Sequence, residues 1–181
     1  DLYEATGNIE WLRSAISLQA EQEHGFSDVE QGGYYFTSDL HESLLARQKP
    51  DYDGAEPTGN ALSAENLLRL AEFTTDSAYR ETAERLFSAF ENTLTRRPTS
   101  LPRMLAALDF YLDRPREIVL VTPPGGDRSA FREVLRNTFL PNRVIVEVRE
   151  GDALATLSEI IPLVDMKRAI GGETTAYVCE A

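Results

Sequence analysis

The chain has 181 residues, 42% hydrophobic and 27% charged, which is typical of a globular protein and excludes disordered, collagen-like and membrane-spanning classes. Its net charge of −12 repels phosphate backbones and anionic headgroups, so we expect neither nucleic acid nor a membrane as a partner. One cysteine and two histidines do not suffice for a disulfide framework or a usual zinc cluster, and we expect no metal and no cofactor. We expect a cytoplasmic protein, since no targeting segment is visible, although the sequence starts at Asp1 and a signal could precede it.

The first two-thirds of the chain predict helices. Apolar residues recur at helical spacing in four stretches, which start near Asn8, Asn60, Asp76 and Ser100, residues that favour helix N-termini. The second and third helices are separated by a few residues and should form an antiparallel hairpin. The aromatic segment 32–37 is too short for a helix and predicts a strand or an extended loop.

The hydrophobic period changes near residue 114. Short β-branched runs predict three strands with a helix in each interval, at residues 117–121, 144–148 and 175–179. The order strand, helix, strand implies a right-handed crossover, so the first two strands should be parallel neighbours in a small parallel or mixed sheet.

The predicted fold is therefore mainly α with a C-terminal α/β unit, divided into helical hairpins over residues 1–113 and the α/β unit over residues 114–181. Residues 1–7 are similar to residues 70–76, and both read as a helix tail that runs into a hairpin turn. The chain is therefore expected to start inside a hairpin and to be the C-terminal piece of a longer protein.

Several short segments follow the order found in a known family: Asp1–Gly7, Gly32–Tyr35, Tyr52–Asn60, Leu101–Asp109, Arg116–Val121, Phe139–Asn142 and Ala176–Cys179. The chain resembles the C-terminal part of the spermatogenesis-associated protein 20 (DUF255) family, most specifically over Tyr52–Asn60. The resemblance implies a thioredoxin-like domain, absent here, joined to an (α/α)6 toroid of the six-hairpin glycosidase type. It also implies that the hairpins are part of such a toroid, and that redox chemistry would need the absent domain.

The segment Tyr52–Asn60 combines two carboxylates with glycines, just ahead of a helix. Glycine lets the backbone approach a ligand, and a helix N-terminus keeps nearby carboxylates ionised, as acceptors for sugar hydroxyls or as a base. Such loops surround the central cavity of a toroid, so Asp53, Gly54, Glu56 and Asn60 are candidate ligand-binding residues. The alternative is a rigid helix-entry loop in which the carboxylates bind backbone amides.

Aromatic and imidazole groups supply the other candidates. Tyr34 and Tyr35 are candidate ligand-binding residues because aromatic faces stack on pyranose rings, although such rings equally belong in a core. His24 and His41 are the two imidazoles, with a pKa suited to proton transfer near neutrality, although a surface or capping role is the ordinary one. His41 therefore joins Asp53 and Glu56 as a weak candidate for a catalytic group.

Two functions follow as hypotheses, and whether the chain is an enzyme stays open. The first is a fragment of a carbohydrate-binding or carbohydrate-processing toroid with a sugar ligand. The alternative is a non-catalytic helical interaction module of a thioredoxin-domain-containing protein. Because an incomplete toroid exposes apolar faces, we expect the remainder of a longer chain, another chain, a second copy or a non-toroidal packing of the helices before Asp113 to cover them. Convergence of Asp53, Glu56 and an aromatic ring on one concavity, with a free carboxylate oxygen, would favour the first.

Overall fold

The structure is a computed structural model and describes residues 1–40 and 46–180. The helical part has the elements α1 (Leu2–Thr6), α2 (Ile9–Phe26), α3 (Gly59–Thr74), α4 (Ser77–Ala89), α5 (Glu91–Arg96) and α6 (Pro102–Leu112). The α/β part has β1 (Arg116–Thr122), α7 (Ser129–Asn137), β2 (Arg143–Arg149), α8 (Asp152–Ser158) and β3 (Thr175–Glu180). The predicted fold class, mainly α with a small C-terminal sheet, is confirmed.

The chain forms two compact units. One consists of Arg13–Ala71 and Asp76–Leu112, and the other of Asp1–Leu12, Glu72–Thr75 and the chain from Asp113 onward. The domain division at residues 113 and 114 stays a prediction, and the unit that holds the sheet also takes in the first residues of the chain. No helix in the described ranges is long and apolar enough to cross a bilayer.

The hairpin unit has its core between α3, α4 and α6, whose apolar residues at helical spacing are buried: Ala61, Ala64, Leu67, Leu68, Ala83, Leu86, Phe87, Met104, Ala107 and Phe110. The stretch predicted as one helix after Asp76 is two helices, because α4 ends at Ala89 and α5 begins at Glu91, with Phe90 between them. Asp76 caps α4 as predicted, with its carboxylate accepting the N–H of Ala78 at 2.9 Å.

The predicted cap of α3 was wrong. The helix begins at Gly59, and the hydroxyl of Thr58 accepts the N–H of Ala61 at 3.1 Å, so Thr58 is the capping side chain. Asn60 lies one residue inside the helix and is 2% exposed. Its amide is therefore available for a bond to another segment.

The sheet has the order β2-β1-β3. β1 and β2 are parallel, from Arg116 opposite Arg143 to Thr122 opposite Arg149, which confirms the crossover prediction. β3 is antiparallel to β1, with Arg116 opposite Glu180, so the sheet is mixed. β1 is buried from Ile118 to its end, as a central strand covered on both faces should be.

The crossover helix α7 is held to the sheet by one carboxylate. Glu147 of β2 is 6% exposed and accepts from Arg128 Nε at 3.0 Å and from Arg132 Nε at 2.8 Å. A buried carboxylate needs such partners, since desolvation disfavours its charge, and two guanidinium groups supply them. On the same strand, the N–H of Ile145 donates to Glu4 Oε1 of α1 at 3.0 Å.

Gly32 gives a test of how tightly the hairpin unit is packed. Its φ is +76°, and a Cβ there would lie 2.6 Å from the backbone oxygen of Arg85. Gly125 has the same φ with nothing within 4 Å of such a Cβ, so it is a matched control for backbone strain alone.

We expect Gly125→Ala to cost about 1–2 kcal/mol in the free energy of unfolding. Gly32→Ala should cost roughly 1–3 kcal/mol more, because the methyl group is overpacked against backbone. Denaturant unfolding measures both, and equal losses would contradict the observed packing.

Candidate functional site

Tyr34, Tyr35, Asp53, Gly54 and Glu56 lie on loops of the hairpin unit, near where α2 ends and where α3 and α6 begin, and Asn60 lies in the first turn of α3. We call residues 27–40, 46–58 and 97–101 the loop end. Backbone hydrogen bonds join its parts: the N–H of Asp53 donates to the carbonyl of Ser100 at 2.7 Å, and the N–H of Phe36 donates to that of Gln48 at 2.7 Å. The loop end therefore has a defined conformation within the unit.

Asp53 caps the start of two helices. Its Oδ1 accepts the N–H of Thr58, just before α3, at 2.7 Å, and its Oδ2 accepts the N–H of Arg103, in the first turn of α6, at 2.9 Å. Helix N-termini carry unsatisfied N–H groups and a partial positive charge, so a carboxylate stabilises both. Both oxygens of Asp53 are thus bonded to backbone amides, the arrangement that the structural alternative predicts.

Glu56 lies in the same loop and differs from Asp53. Its side chain is exposed and makes no hydrogen bond or ion pair with any residue in the described ranges. Gly54 is exposed beside it, and its N–H donates to the carbonyl of Glu56 at 3.1 Å. Tyr52, 66% exposed, lies against Gly54. A carboxylate, an accessible backbone and an aromatic ring are thus presented to solvent by one short loop.

Asn60 and Tyr34 are bonded to each other. The N–H of Tyr34 donates to Asn60 Oδ1 and the Nδ2 of Asn60 donates to the carbonyl of Tyr34, both at 2.8 Å. The side-chain amide thus makes the pair of bonds that a neighbouring strand would make. Both residues are almost fully buried, so these groups are occupied within the protein.

The Tyr34 ring is a core group. It is 3% exposed, and its hydroxyl donates to Glu23 Oε2 at 2.7 Å and accepts from Gln19 Nε2 at 3.0 Å. Burial, together with the hydrogen bond to Glu23, raises the pKa of Tyr34 above its ordinary value. Its hydroxyl therefore stays protonated and holds the loop end to α2.

Tyr35 belongs to a charge cluster around Asp28. The carboxylate of Asp28 accepts from Lys49 Nζ at 2.6 Å, from the Tyr35 hydroxyl at 2.7 Å, and from the N–H groups of Glu30 and Gln31 at 3.0 Å. Hydrogen bonds from Lys49 and Tyr35 hold the pKa of Asp28 well below its usual range. The guanidinium of Arg47 lies 4.2 Å from the Tyr35 ring centre.

Sequence reasoning missed the Asp28 cluster. Two signals pointed to it: an aspartate that begins a Gly-Gly turn, which favours side-chain to backbone bonds, and Lys49, one of two lysines in the chain. The pairing itself needed the tertiary structure, because Asp28 and Lys49 are 21 positions apart.

The two histidines are the remaining candidates. His24 is exposed in the last turn of α2, and His41 lies outside the described residues. Phe36 is 76% exposed on the loop end. Within residues 1–40 and 46–180, no group of three or more His, Cys, Asp or Glu side chains is arranged to hold a metal ion.

The two predicted carboxylates of the loop end differ in the partners that they have within the protein. Of its predicted carboxylates, Glu56 has oxygens for a ligand, while those of Asp53 are occupied by amides. Helical hairpins that carry such a loop end, followed by a small mixed sheet, define a mainly helical protein with a C-terminal α/β unit.

Comparison with known proteins gives the family. No family model matches the chain. It is similar to spermatogenesis-associated protein 20 of Homo sapiens, with 36% identity over 182 residues, and of Mus musculus, with 34%. Both matches cover 99% of this chain and 23% of the relative, and an uncharacterized protein of Caenorhabditis elegans is 32% identical over 86% of the chain. The chain belongs to the spermatogenesis-associated protein 20 family and corresponds to a C-terminal part of it, as the resemblance predicted. It spans about a quarter of the length of these relatives.

The Asp28 cluster gives a pH-dependent test. Asp28 is buried and its folded pKa is depressed, so its contribution to stability is present above its ordinary pKa of about 3.9 and is lost as the pH falls below that value. We expect Asp28→Asn to cost about 2–3 kcal/mol at pH 7, because Lys49 loses its counter-charge. The difference from wild type should be constant between about pH 7 and pH 5 and should shrink below about pH 4. Denaturant unfolding against pH measures this, with the exposed Asp39→Asn as control. A pH-independent difference would contradict the assignment.

Proposed function

We propose that this chain is a non-catalytic carbohydrate-binding part of a larger helical toroid, and that the loop end contacts the ligand. The observation that carries the proposal is the difference between the two carboxylates: amides occupy Asp53, and Glu56 is exposed beside Tyr52 and Gly54. One free carboxylate can accept from sugar hydroxyls. Proton transfer in a glycosidic or epimerising reaction uses paired groups, which these residues do not supply.

The exposed rings support a sugar as the ligand class. Tyr52 is 66% and Phe36 76% exposed, and both are on the loop end. Aromatic faces bury the C–H surface of pyranose rings, while an adjacent carboxylate and backbone groups bind the hydroxyls. In this proposal Tyr34, Tyr35, Asp53 and Asn60 act by holding the loops, and Glu56, Gly54, Tyr52 and Phe36 touch the sugar.

A second candidate function is a helical interaction module of the longer, thioredoxin-domain-containing protein in the cytoplasm. Large apolar side chains are exposed on the helices of the hairpin unit, including Leu18 at 69%, Leu112 at 72% and Leu62 at 40%. Exposed apolar side chains of this kind favour a protein surface as partner. Because the chain matches 23% of its relatives' length, the rest of the longer protein and a second copy are the partners proposed.

The sugar proposal predicts a loss of binding on two substitutions. Calorimetric titration of a panel of mono- and disaccharides should detect binding by the longer family protein and weak binding by this chain. Tyr52→Ala and Glu56→Gln should each weaken it about tenfold, or roughly 1.4 kcal/mol. Both side chains are exposed, so thermal stability should not change.

Glu81→Gln is the matched control, because Glu81 is exposed on α4 and outside the loop end. It should leave binding unchanged. Absence of binding to every sugar tested, or an equal loss for Glu81→Gln, would refute the carbohydrate proposal and favour the interaction module. Asp53→Asn should instead lower thermal stability, since it weakens the caps of α3 and α6.

A further inference from the structure

The two edges of the sheet are treated differently. At the β2 edge, Glu4 of α1 accepts the N–H of Ile145 at 3.0 Å, and α1 lies along the strand. A side chain that occupies an edge N–H prevents another strand from pairing there. Glu4 therefore opposes the addition of another strand at the edge of β2.

The opposite edge has no such device. β3 pairs with β1 on one side, and on its other side no residue in the described ranges makes a backbone hydrogen bond to it. Its residues Thr175–Glu180 include no lysine, arginine, proline or glycine, the residues with which proteins usually protect an edge. Val178 is 59% exposed, and Cys179 is exposed as well.

The strand is nonetheless held in a fixed extended form. The Tyr177 hydroxyl donates to the carbonyl of Arg168 at 2.8 Å, and the Thr175 hydroxyl accepts the N–H of Ile170 at 2.8 Å. Both bonds use side chains and leave the outer backbone groups unpaired. Because β3 is already extended, a second strand can pair with it without ordering it first. The entropic cost of pairing is therefore lower.

We propose that β3 is the dimerisation edge of this chain, where β3 of a second copy pairs antiparallel to form a six-stranded sheet. The row of unpaired amides and carbonyls along an edge strand is complementary to the backbone of another strand. The charge on β3 favours its own copy in the antiparallel direction. Its one charged residue, Glu180, lies at the strand end, so antiparallel pairing separates the two carboxylates, whereas parallel pairing would place them side by side.

The pleat and the length of the strand leave two central registers. Residues opposite each other in a sheet lie on the same face, so the two-fold axis must pass midway between two copies of the same residue, and Tyr177 or Val178 at this position pairs most of Thr175–Glu180. Cys179 then lies opposite Thr175 or Tyr177 of the partner subunit. In either register the two Glu180 residues are at least about 13 Å apart along the strands, at about 3.3 Å per residue. The proposal is independent of the carbohydrate proposal, since it uses neither the loop end nor its residues.

The experiment is light scattering with size-exclusion chromatography over a concentration series. Wild type should approach twice the chain mass of 20.2 kDa at high concentration. The dimer fraction should rise from low salt to about 0.15 M, where a Debye length of about 8 Å screens the charge of −12 on each copy. Val178→Lys should raise the dissociation constant at least tenfold, because lysine on the edge opposes symmetric pairing. Val134→Lys is the matched control, as Val134 is 61% exposed on α7, and it should dimerise like wild type.

Two further measurements test the proposal on proteins other than Val178→Lys, in case that variant does not fold. Amide hydrogen exchange should show concentration-dependent protection on β3 in wild type and in Val134→Lys. A short bismaleimide should cross-link wild type through Cys179, which is the single cysteine. A wild type that is monomeric at every concentration would overturn the proposal, and so would a dimer whose β3 amides exchange as in the monomer or one that Val134→Lys weakens as much as Val178→Lys.

Discussion

The arrangement of the hairpin unit depends on the two hydrogen bonds between the Asn60 side chain and the main chain of Tyr34. Without them a buried N–H and a buried carbonyl would be left unpaired, at a cost of about 1–3 kcal/mol each. The bonds attach the loop after α2 to the first turn of α3. The bonds of the Tyr34 hydroxyl with Glu23 and Gln19, and the ion pair of Asp28 with Lys49, also hold the loop that follows α2.

Most polar groups that suggested chemistry serve this structural purpose. Asp53 closes the starts of two helices, Tyr34 anchors a loop, and Tyr35 completes the coordination of Asp28. Each is bonded to groups inside the protein, where an unpaired polar group is costly. What these groups leave exposed is a short loop with Tyr52 and Glu56, and the proposed binding function rests on that loop.

In the sheet unit, too, buried carboxylates have a structural role. Glu147 holds the crossover helix through two arginines, and Glu4 occupies one sheet edge. Carboxylates thus fix where the sheet is covered and where it stops. The edge formed by β3 has neither kind of contact in the described ranges, and the dimerisation proposal rests on that difference.

The sequence alone determined the elements and their order, since apolar spacing records which face of each helix or strand is buried, and the parallel pairing of β1 and β2 followed from the length of the crossover. It also identified Tyr52–Asn60 as distinctive. It did not determine the break at Phe90, the use of Thr58 in place of Asn60 as a cap, or the pairing of Asp28 with Lys49. Those choices depend on which donors and acceptors meet across long stretches of chain. A local pattern cannot distinguish a carboxylate that binds amides, such as Asp53, from one that stays exposed, such as Glu56. Only the tertiary structure decides between these roles, because the bonding partners come from distant segments of the chain.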